Sequence, residues 1–209
     1  MAAVDKWNER YAGSELVWSK SANKEFVNQA TGLAPGRALD LGSGEGRNAI
    51  WLAEQGWQVT AVDFSQAGTD KGQQLAGGSA KSDLEIDWVV SDACDYNDES
   101  GFDLVAVLYL HTTKAERDRW LPNAIKMVRP GGSFIYIGHD LDNIEQGVGG
   151  PQVPEVLPNA AEITPLLGGF DISYAGIIER HIATETGHGT GGEGKVALDC
   201  LINAVREKN

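Results

Sequence analysis

Cysteine is scarce in this 209-residue sequence, and long apolar runs are missing from it. The two cysteines, Cys94 and Cys200, are too widely separated for a disulfide framework or a zinc-binding cysteine motif, which favours a reducing compartment. The first ten residues carry charged side chains where a secretory signal would have an apolar core. The sequence has no stretch of about 18 apolar residues, which is the length needed to cross a membrane. We therefore expect a cytoplasmic protein with no membrane partner.

Positive charge is also in short supply. The chain has 17 lysines and arginines against 30 aspartates and glutamates, which gives a net charge of −13. Such a surface repels the phosphates of nucleic acids and of anionic membranes, so no nucleic acid is expected as a partner. The composition is that of a globular protein, and no internal repeat is present. We expect a single domain over residues 1–209 that acts on a small molecule as a monomer or homodimer.

Short apolar runs alternate with amphipathic runs, which is typical of a parallel sheet with helices on both faces. Two final apolar runs, 170–182 and 196–205, are joined by a segment too short for a crossover helix, so they predict an antiparallel hairpin. The sequence therefore predicts an α/β fold: a doubly wound, mostly parallel, seven-stranded Rossmann-like sheet with a C-terminal antiparallel hairpin. The other predicted strands are 37–41, 58–62, 84–90, 102–108 and 133–138, and the main predicted helices are 46–55, 66–76 and the run after Thr113.

Glycine and proline predict irregular structure at several places. Gly68 and Gly72 fall in the second of these helices and each costs about 1 kcal/mol of helix stability, so we expect a short or irregular helix. Pro122 predicts a kink or a break in the helix after Thr113. The glycine- and proline-rich stretch 140–165 predicts a long loop. We expect residues 1–35 to form a helical lid, residues 36–139 a ligand-binding core, and residues 140–209 the acceptor side of the site.

A glycine-rich turn, Leu39 to Gly46, follows the first predicted strand. In a doubly wound sheet, ligands bind beyond the carboxyl ends of the strands. The glycines are spaced G-x-G-x-G, and not G-x-G-x-x-G as in dinucleotide-binding folds. Asp40 and Glu45 flank the turn, and two carboxylates would repel a pyrophosphate. The turn is therefore better suited to a ligand that carries positive charge.

Two further carboxylates follow the next two strands. Asp63 ends the second strand, where a carboxylate can accept hydrogen bonds from two ribose hydroxyls. Asp92 can accept from the exocyclic amine of adenine, while Ala93 beside it leaves room for a flat ring. The ligand so described has an adenine, a ribose, a cationic portion and no phosphate. S-adenosylmethionine fits this description.

Four motifs together resemble, in order and spacing, the class I S-adenosylmethionine-dependent methyltransferases over roughly residues 35–140. They are Leu39–Gly46, Val62–Asp63, Ser91–Ala93 and Arg129–Gly132. A looser resemblance, to the bacterial branch related to thiopurine and tellurite methyltransferases, lies in the flanks, at residues 7–11, Trp18, Asn23, Glu179, Arg180, His188 and Arg206. The resemblance implies a methyltransferase that uses S-adenosylmethionine as its cofactor and methylates a small-molecule acceptor.

Positions along the predicted sheet, together with this resemblance, give expected roles for individual residues. His111, after the fourth strand, is the candidate catalytic base. Candidate residues for binding the acceptor are Trp18, Tyr109, His139 and Arg180. The implied cofactor-binding residues are Asp40, Gly42, Ser43, Gly44, Arg47, Asp63, Phe64, Asp92, Ala93 and Leu108.

Other interpretations remain open at this point. Arg180 could form an ion pair with Glu179 or Asp199, and either histidine could be purely structural. The residues His111, His139, Asp140 and His188 could converge on a metal, but such sites need exact geometry, and no metal is predicted. A nicotinamide-dependent reductase is disfavoured by the glycine spacing and the acidic turn. A non-catalytic nucleoside sensor or partner subunit is the remaining alternative.

Overall fold

The structure is a computed structural model that describes residues 3–13, 15–81, 83–181 and 194–208. Within this part of the chain, seven strands form one sheet in the order β3-β2-β1-β4-β5-β7-β6. Strands β1 to β5 pair in parallel, and β7 is antiparallel to both β5 and β6, so the predicted fold is confirmed. The strands are β1 (Arg37–Leu41), β2 (Gln58–Asp63), β3 (Ile86–Val90), β4 (Phe102–Leu108), β5 (Val128–His139), β6 (Phe170–His181) and β7 (Val196–Arg206).

Helices cover both faces of this sheet. Their bounds are α1 (Ala3–Tyr11), α2 (Lys24–Ala30), α3 (Arg47–Glu54), α4 (Gln66–Gly77), α5 (Lys114–Lys126), α6 (Asn143–Gln146) and α7 (Ala160–Ile163). The stretch 140–165, predicted as a loop, contains α6, α7 and a 3-10 turn at Pro154–Val156. No helix of the described residues is long and apolar enough to cross a membrane.

The central strands supply the core on both faces of the sheet. Because side chains alternate along a strand, Val105 and Val107 of β4 pack into one buried cluster while Leu104 and Ala106 pack into the other. These four residues are fully buried. A strand buried on both faces has an almost continuous apolar sequence, and this explains why β1, β4 and β5 are evident in the sequence.

Helix α4 is regular over its 12 residues, so the expectation of a short or irregular helix was wrong. Its glycines make room for aromatic side chains. A Cβ atom at Gly72 would lie 2.5 Å from the Trp88 ring, and one at Gly68 would lie 3.1 Å from the Tyr11 ring. The Trp88 ring also lies against Gly46, at the end of the glycine-rich turn. Close packing of the Tyr11 and Trp88 rings against these two positions offsets the low helix propensity of glycine.

Helix α5 continues through Pro122, so the helix is not broken there. The capping box is present: the Thr113 hydroxyl accepts from the Glu116 amide, and the Glu116 carboxylate accepts from the Thr113 amide at 2.9 Å. Proline leaves the carbonyl of Asp118 without its helical donor, but that residue is exposed, where water can replace the donor. The buried residues Trp120 and Leu121 hold the helix against the sheet.

Candidate functional site

A cavity of about 330 Å³ lies at the carboxyl ends of β1 to β4. This volume is within the range of about 300–1,000 Å³ that is usual for small-molecule sites. Nine of the ten residues that the sequence associates with a cofactor line this cavity. They are Gly42, Ser43, Gly44, Arg47, Asp63, Phe64, Asp92, Ala93 and Leu108.

The turn after β1 depends on glycine for its backbone conformation. Gly42, Gly44 and Gly46 have φ angles of 80°, 56° and 75°, in the left-handed region that favours glycine. A Cβ at Gly44 would lie 2.7 Å from the Tyr11 hydroxyl oxygen. The turn therefore gives the cavity a wall of bare backbone, packed closely under the N-terminal segment.

Asp63 is fixed at the end of β2 by backbone amides. Its two carboxylate oxygens each accept one hydrogen bond at 2.8 Å, from the amides of Gly44 and Ser65. Burial raises the pKa of Asp63, and these two hydrogen bonds oppose that rise. Each oxygen keeps a second lone pair, so the carboxylate can still accept hydrogen bonds from hydroxyls of a ligand.

Asp40 is the cofactor candidate that the structure does not place among the lining residues. Its carboxyl is 1% exposed, and Oδ2 has no hydrogen-bond partner within the described part of the chain. Burial raises the pKa of Asp40 to about 7. Asp40 therefore lies behind the turn and does not contact the cavity. Its negative charge, when present, favours the charged form of Arg47.

Glu45 does not face a cationic ligand, contrary to the argument from the sequence. Its carboxylate accepts hydrogen bonds from the amides of Val17 at 3.1 Å and Trp18 at 3.0 Å. The Lys71 ammonium lies 2.8 Å from the same carboxylate, whose side chain is 2% exposed. Because these contacts use both oxygens, Glu45 anchors the N-terminal segment to the turn.

An aromatic cluster of the N-terminal segment closes one side of the cavity. Trp7, Tyr11 and Trp18 all line it. The rings of Trp7 and Tyr11 stack with their centroids 5.4 Å apart, and the Trp18 indole N–H donates to the Tyr11 hydroxyl at 3.1 Å. Asn8 joins α1 to the start of α4, where its side-chain oxygen accepts from the Ser65 hydroxyl at 2.6 Å. These contacts place the segment directly over the glycine turn.

Arg47 brings a positive charge to the cavity wall. Its guanidinium donates to the Ser19 hydroxyl at 2.9 Å and lies 5.9 Å from the centre of the Trp18 ring. Burial lowers the pKa of Arg47. No carboxylate oxygen of the described residues lies within 4 Å of it, so the guanidinium is available to an anionic group of a ligand.

His111 follows β4, whereas Asp92 and Ala93 follow β3, which stands three places away from β4 in the sheet, and all three residues line the cavity. Its Nε2 atom is buried and, among the described residues, has no hydrogen-bond partner. Burial, and to a lesser degree His139, lower the pKa of His111 to about 3. The imidazole is therefore neutral at physiological pH and is a weak base.

His139 and Arg180, expected at the acceptor, do not appear among the lining residues and instead contact Asp199 of β7. The Asp199 carboxylate accepts from Arg180 Nε at 2.7 Å and from the Tyr109 hydroxyl at 2.6 Å. His139 Nδ1 lies 3.2 Å from it. Burial alone would raise the pKa of Asp199, but the contacts with His139 and Arg180 outweigh it and lower the pKa. The ion-pair interpretation of Arg180 is the one observed.

Of the residues considered and rejected as metal ligands, His188 lies outside the described residues. Among those that are described, no group of three or more histidine, cysteine, aspartate or glutamate side chains has the geometry to hold a metal ion. Tyr109 and Trp18, the other two acceptor candidates, do line the cavity.

Comparison with known proteins gives a family match over part of the chain. Residues 38–132 match the family model described as "Methyltransferase domain". A demethylmenaquinone methyltransferase of Clavibacter sepedonicus is 26% identical over 136 residues, which cover 64% of this chain and 52% of the relative. The chain spans about half the length of the curated relatives it matches.

Solved structures share the fold across the whole chain. A structure from work on the conversion of a disulfide bond into a thioacetal group during echinomycin biosynthesis has a TM-score of 0.73 at 19% identity, covering 100% of this chain and 93% of that one. TehB from Haemophilus influenzae has a TM-score of 0.68 at 17% identity, covering 98% of this chain and 67% of that one. Residues 38–132 of this chain therefore match a methyltransferase domain, and the chain has the fold of these solved structures.

The sequence did not single out several residues that line the cavity. Asn48 lines the cavity, and its side-chain oxygen accepts from the Asn23 amide at 2.9 Å. Cys94 also lines it, with burial raising the pKa of its thiol to about 11. The position of Asn48, one residue after Arg47 in the first turn of α3, was the available signal. Asp199 was named from the sequence only as a possible ion-pair partner of Arg180, and the pairing of β7 with β5 also sets it opposite His139.

Proposed function

We propose that this protein catalyses the transfer of a methyl group from S-adenosylmethionine to a small-molecule acceptor by in-line displacement. The observation that carries the proposal is the single cavity that runs from the glycine turn and Asp63 to Tyr109 and His111. One end is suited to a nucleoside, and the other end offers a neutral imidazole with an unpartnered nitrogen among the described residues.

The residues of the donor end fit S-adenosylmethionine. The fixed carboxylate of Asp63 retains lone pairs for the two ribose hydroxyls, and Asp92 with Ala93 would receive the adenine edge beside Phe64. The unpaired Arg47 would hold the carboxylate of the methionine portion. When bound, the cofactor supplies a methyl group on a sulfonium, which is already activated for displacement.

The contribution of the chain is therefore alignment and the exclusion of water, effects that can supply several kcal/mol. We propose that the N-terminal segment, residues 1–35, acts as a lid over the donor end. Glu45 holds this segment through the amides of Val17 and Trp18, and the Trp18 indole forms part of the cavity wall. Closure would shield the reacting groups from solvent.

The state of His111 favours one class of acceptor. A neutral imidazole with a pKa of about 3 accepts or donates a hydrogen bond but takes up a proton poorly. An acceptor that must lose a strongly held proton, such as a hydroxyl or an ammonium, would need a better base. A thiol, with a pKa near 8.5, supplies some thiolate at neutral pH without one. We therefore propose a thiol, or an acceptor of comparable acidity.

We also propose that the protein acts in the cytoplasm, as a monomer or homodimer, without nucleic acid or membrane as partner. The net charge of −13 supports the exclusion of these two polyanionic surfaces. Light scattering behind a size-exclusion column would give the oligomeric state.

Calorimetry and turnover together test the proposed function. S-adenosylhomocysteine should bind in calorimetric titrations, and reduced nicotinamide dinucleotide should not. Methyl-labelled S-adenosylmethionine should then be consumed with a panel of thiols faster than with amines or selenium and tellurium oxyanions. Binding of the nicotinamide cofactor alone would favour a reductase. Tight binding of S-adenosylhomocysteine without turnover on any acceptor would favour the sensor.

A further inference from the structure

Asp199 is the centre of a buried polar cluster beside the cavity, which we call the Asp199 cluster: Tyr109, His139, Arg180 and Asp199. The carboxylate is 1% exposed. It accepts from the Tyr109 hydroxyl at 2.6 Å and from Arg180 Nε at 2.7 Å, and His139 Nδ1 lies 3.2 Å away. Three of the four residues do not appear among the lining residues, so the cluster supports the wall from behind.

The sheet register brings these residues together. In the pairing of β5 with β7, His139 lies opposite Asp199. In the pairing of β6 with β7, Arg180 is two positions along β6 from the residue that pairs with Asp199. Tyr109 directly follows β4 and has a φ of 53°, which is uncommon for a residue with a side chain. Such a conformation persists only where its surroundings hold it, and it often occurs at functional sites. The hydrogen bond to Asp199 is one such restraint.

Two members of the cluster form the support of His111. The His139 and His111 rings stack, with centroids 5.4 Å apart and planes at 15°. The Tyr109 ring meets both imidazoles edge-on, at 5.3 Å from His139 and 6.1 Å from His111. Since Asp199 contacts both Tyr109 and His139, one carboxylate restrains the two rings that pack on His111.

We propose that Asp199 is a positioning residue for the acceptor end of the site. It accepts a hydrogen bond from the Tyr109 hydroxyl and lies 3.2 Å from Nδ1 of His139. These two contacts restrain the Tyr109 and His139 rings, and the two rings fix the orientation of the His111 imidazole in the cavity. Arg180 balances the charge of the carboxylate. Asp199 thereby acts on the acceptor through His111 and has no role at the donor end; this assignment rests on the proposed function.

The variant Asp199→Asn tests the assignment, with Asp171→Asn as the matched control. Asparagine keeps the size of the side chain and one acceptor oxygen, and Arg180, whose side chain is 35% exposed, can turn to solvent, so the variant should fold. Asp171 is an exposed aspartate on β6 of the same hairpin. The Kd of S-adenosylhomocysteine should stay within about two-fold, because the donor residues make no contact with Asp199. Turnover of labelled S-adenosylmethionine with the thiol panel should fall about ten-fold or more, while the KM for S-adenosylmethionine should not change. A small misplacement of a group that aligns the acceptor has effects of this size.

Nitrogen-15 NMR of the histidine side chains supplies a readout that needs neither cofactor nor acceptor. In Asp199→Asn the His139 and His111 resonances should both shift, and in Asp171→Asn neither should. Tyr109→Phe, which removes only the hydroxyl, should shift His111 in the same direction by a smaller amount.

The outcomes separate the two proposals. If the His111 resonances do not shift in Asp199→Asn, Asp199 is not a positioning residue for the acceptor. The same conclusion follows if the affinity for S-adenosylhomocysteine falls by as large a factor as the turnover rate. If the native protein fails to bind S-adenosylhomocysteine while the histidine shifts occur as expected, the geometry of the Asp199 cluster holds and the proposed function fails.

Discussion

The two ends of the cavity, which we propose bind the methyl donor and the methyl acceptor, are built by different means. The donor end is formed mainly by backbone groups. These are a turn of three glycines in the left-handed conformation and the amides of Gly44 and Ser65, which hold Asp63 in place. The acceptor end is supported mainly by side chains, since the Asp199 cluster joins residues that lie on, or directly after, four different strands. The hydrogen bond between Tyr109 and Asp199 links positions 90 residues apart.

This difference teaches that the donor end is a local property of the chain and the acceptor end is a property of the sheet register. A change at the donor end should alter cofactor binding and stability together, because the same backbone groups form the turn and the wall. A change at the acceptor end should leave cofactor binding alone. The four predictions below test this division, in order of decreasing effect.

The largest effect is expected from the protonation of Asp40 behind the donor turn. Its pKa in the folded protein is about 7, above the ordinary value of 3.8, so the native state holds this proton more tightly than the unfolded chain. Between these two pH values Asp40 therefore lowers the free energy of unfolding as pH rises, by up to about 1.4 kcal/mol per pH unit. Asp40→Asn should lack this slope in urea unfolding series from pH 4 to pH 8. Equal slopes in the two proteins would mean that Asp40 is charged when folded.

Asp63→Ala should weaken the binding of S-adenosylhomocysteine by about 1–3 kcal/mol, which is the scale of a lost hydrogen bond to a charged group. The change also leaves the Gly44 amide without its acceptor, so the urea midpoint should fall in parallel. Calorimetry on the folded variant measures the affinity, and Asp171→Asn serves as the control. Unchanged affinity would remove Asp63 from the donor site.

Glu45→Gln should loosen the proposed lid at a cost of about 1–3 kcal/mol in unfolding free energy, because it removes the charge that pairs with Lys71. Hydrogen exchange at the amides of Val17 and Trp18 should become faster than in the native protein. In the native protein, bound S-adenosylhomocysteine should slow exchange over residues 3–35. Identical exchange with and without the ligand would contradict the lid.

Tyr109→Phe should have the smallest effect on the donor end. Loss of one hydrogen bond to Asp199 should lower the unfolding free energy by about 1–2 kcal/mol. The affinity for S-adenosylhomocysteine should not change measurably, because the hydroxyl faces Asp199 and Asn23 and not the nucleoside residues. A clear loss of affinity in calorimetry would break the division between the two ends.

The sequence was sufficient for the features that depend on short stretches of chain. The buried strands show as apolar runs, and the glycine spacing predicts the turn because no other residue adopts its φ angles freely. Helix α4 was misjudged because propensity does not register that Gly68 and Gly72 face the Tyr11 and Trp88 rings. The break that Pro122 predicted does not occur, because burial of Trp120 and Leu121 holds α5 against the sheet.

At the site itself, what could not be read from the sequence was the direction in which a side chain points. Glu45 was assigned to a cationic ligand by its place beside Gly44, but it faces Lys71 and the N-terminal segment. His139 and Arg180 were placed correctly at the carboxyl edge of the sheet, yet both turn toward Asp199. Only the pairing of β7 with β5 and β6 brings that aspartate to them.

The indole of Trp88 links the glycine turn to helix α4, since it packs on Gly46 in one and Gly72 in the other. These three positions share one volume, which a larger side chain at either glycine would exceed. Evolutionary change at any of them is therefore coupled: we expect relatives that replace Gly46 or Gly72 to carry a smaller residue in place of the tryptophan.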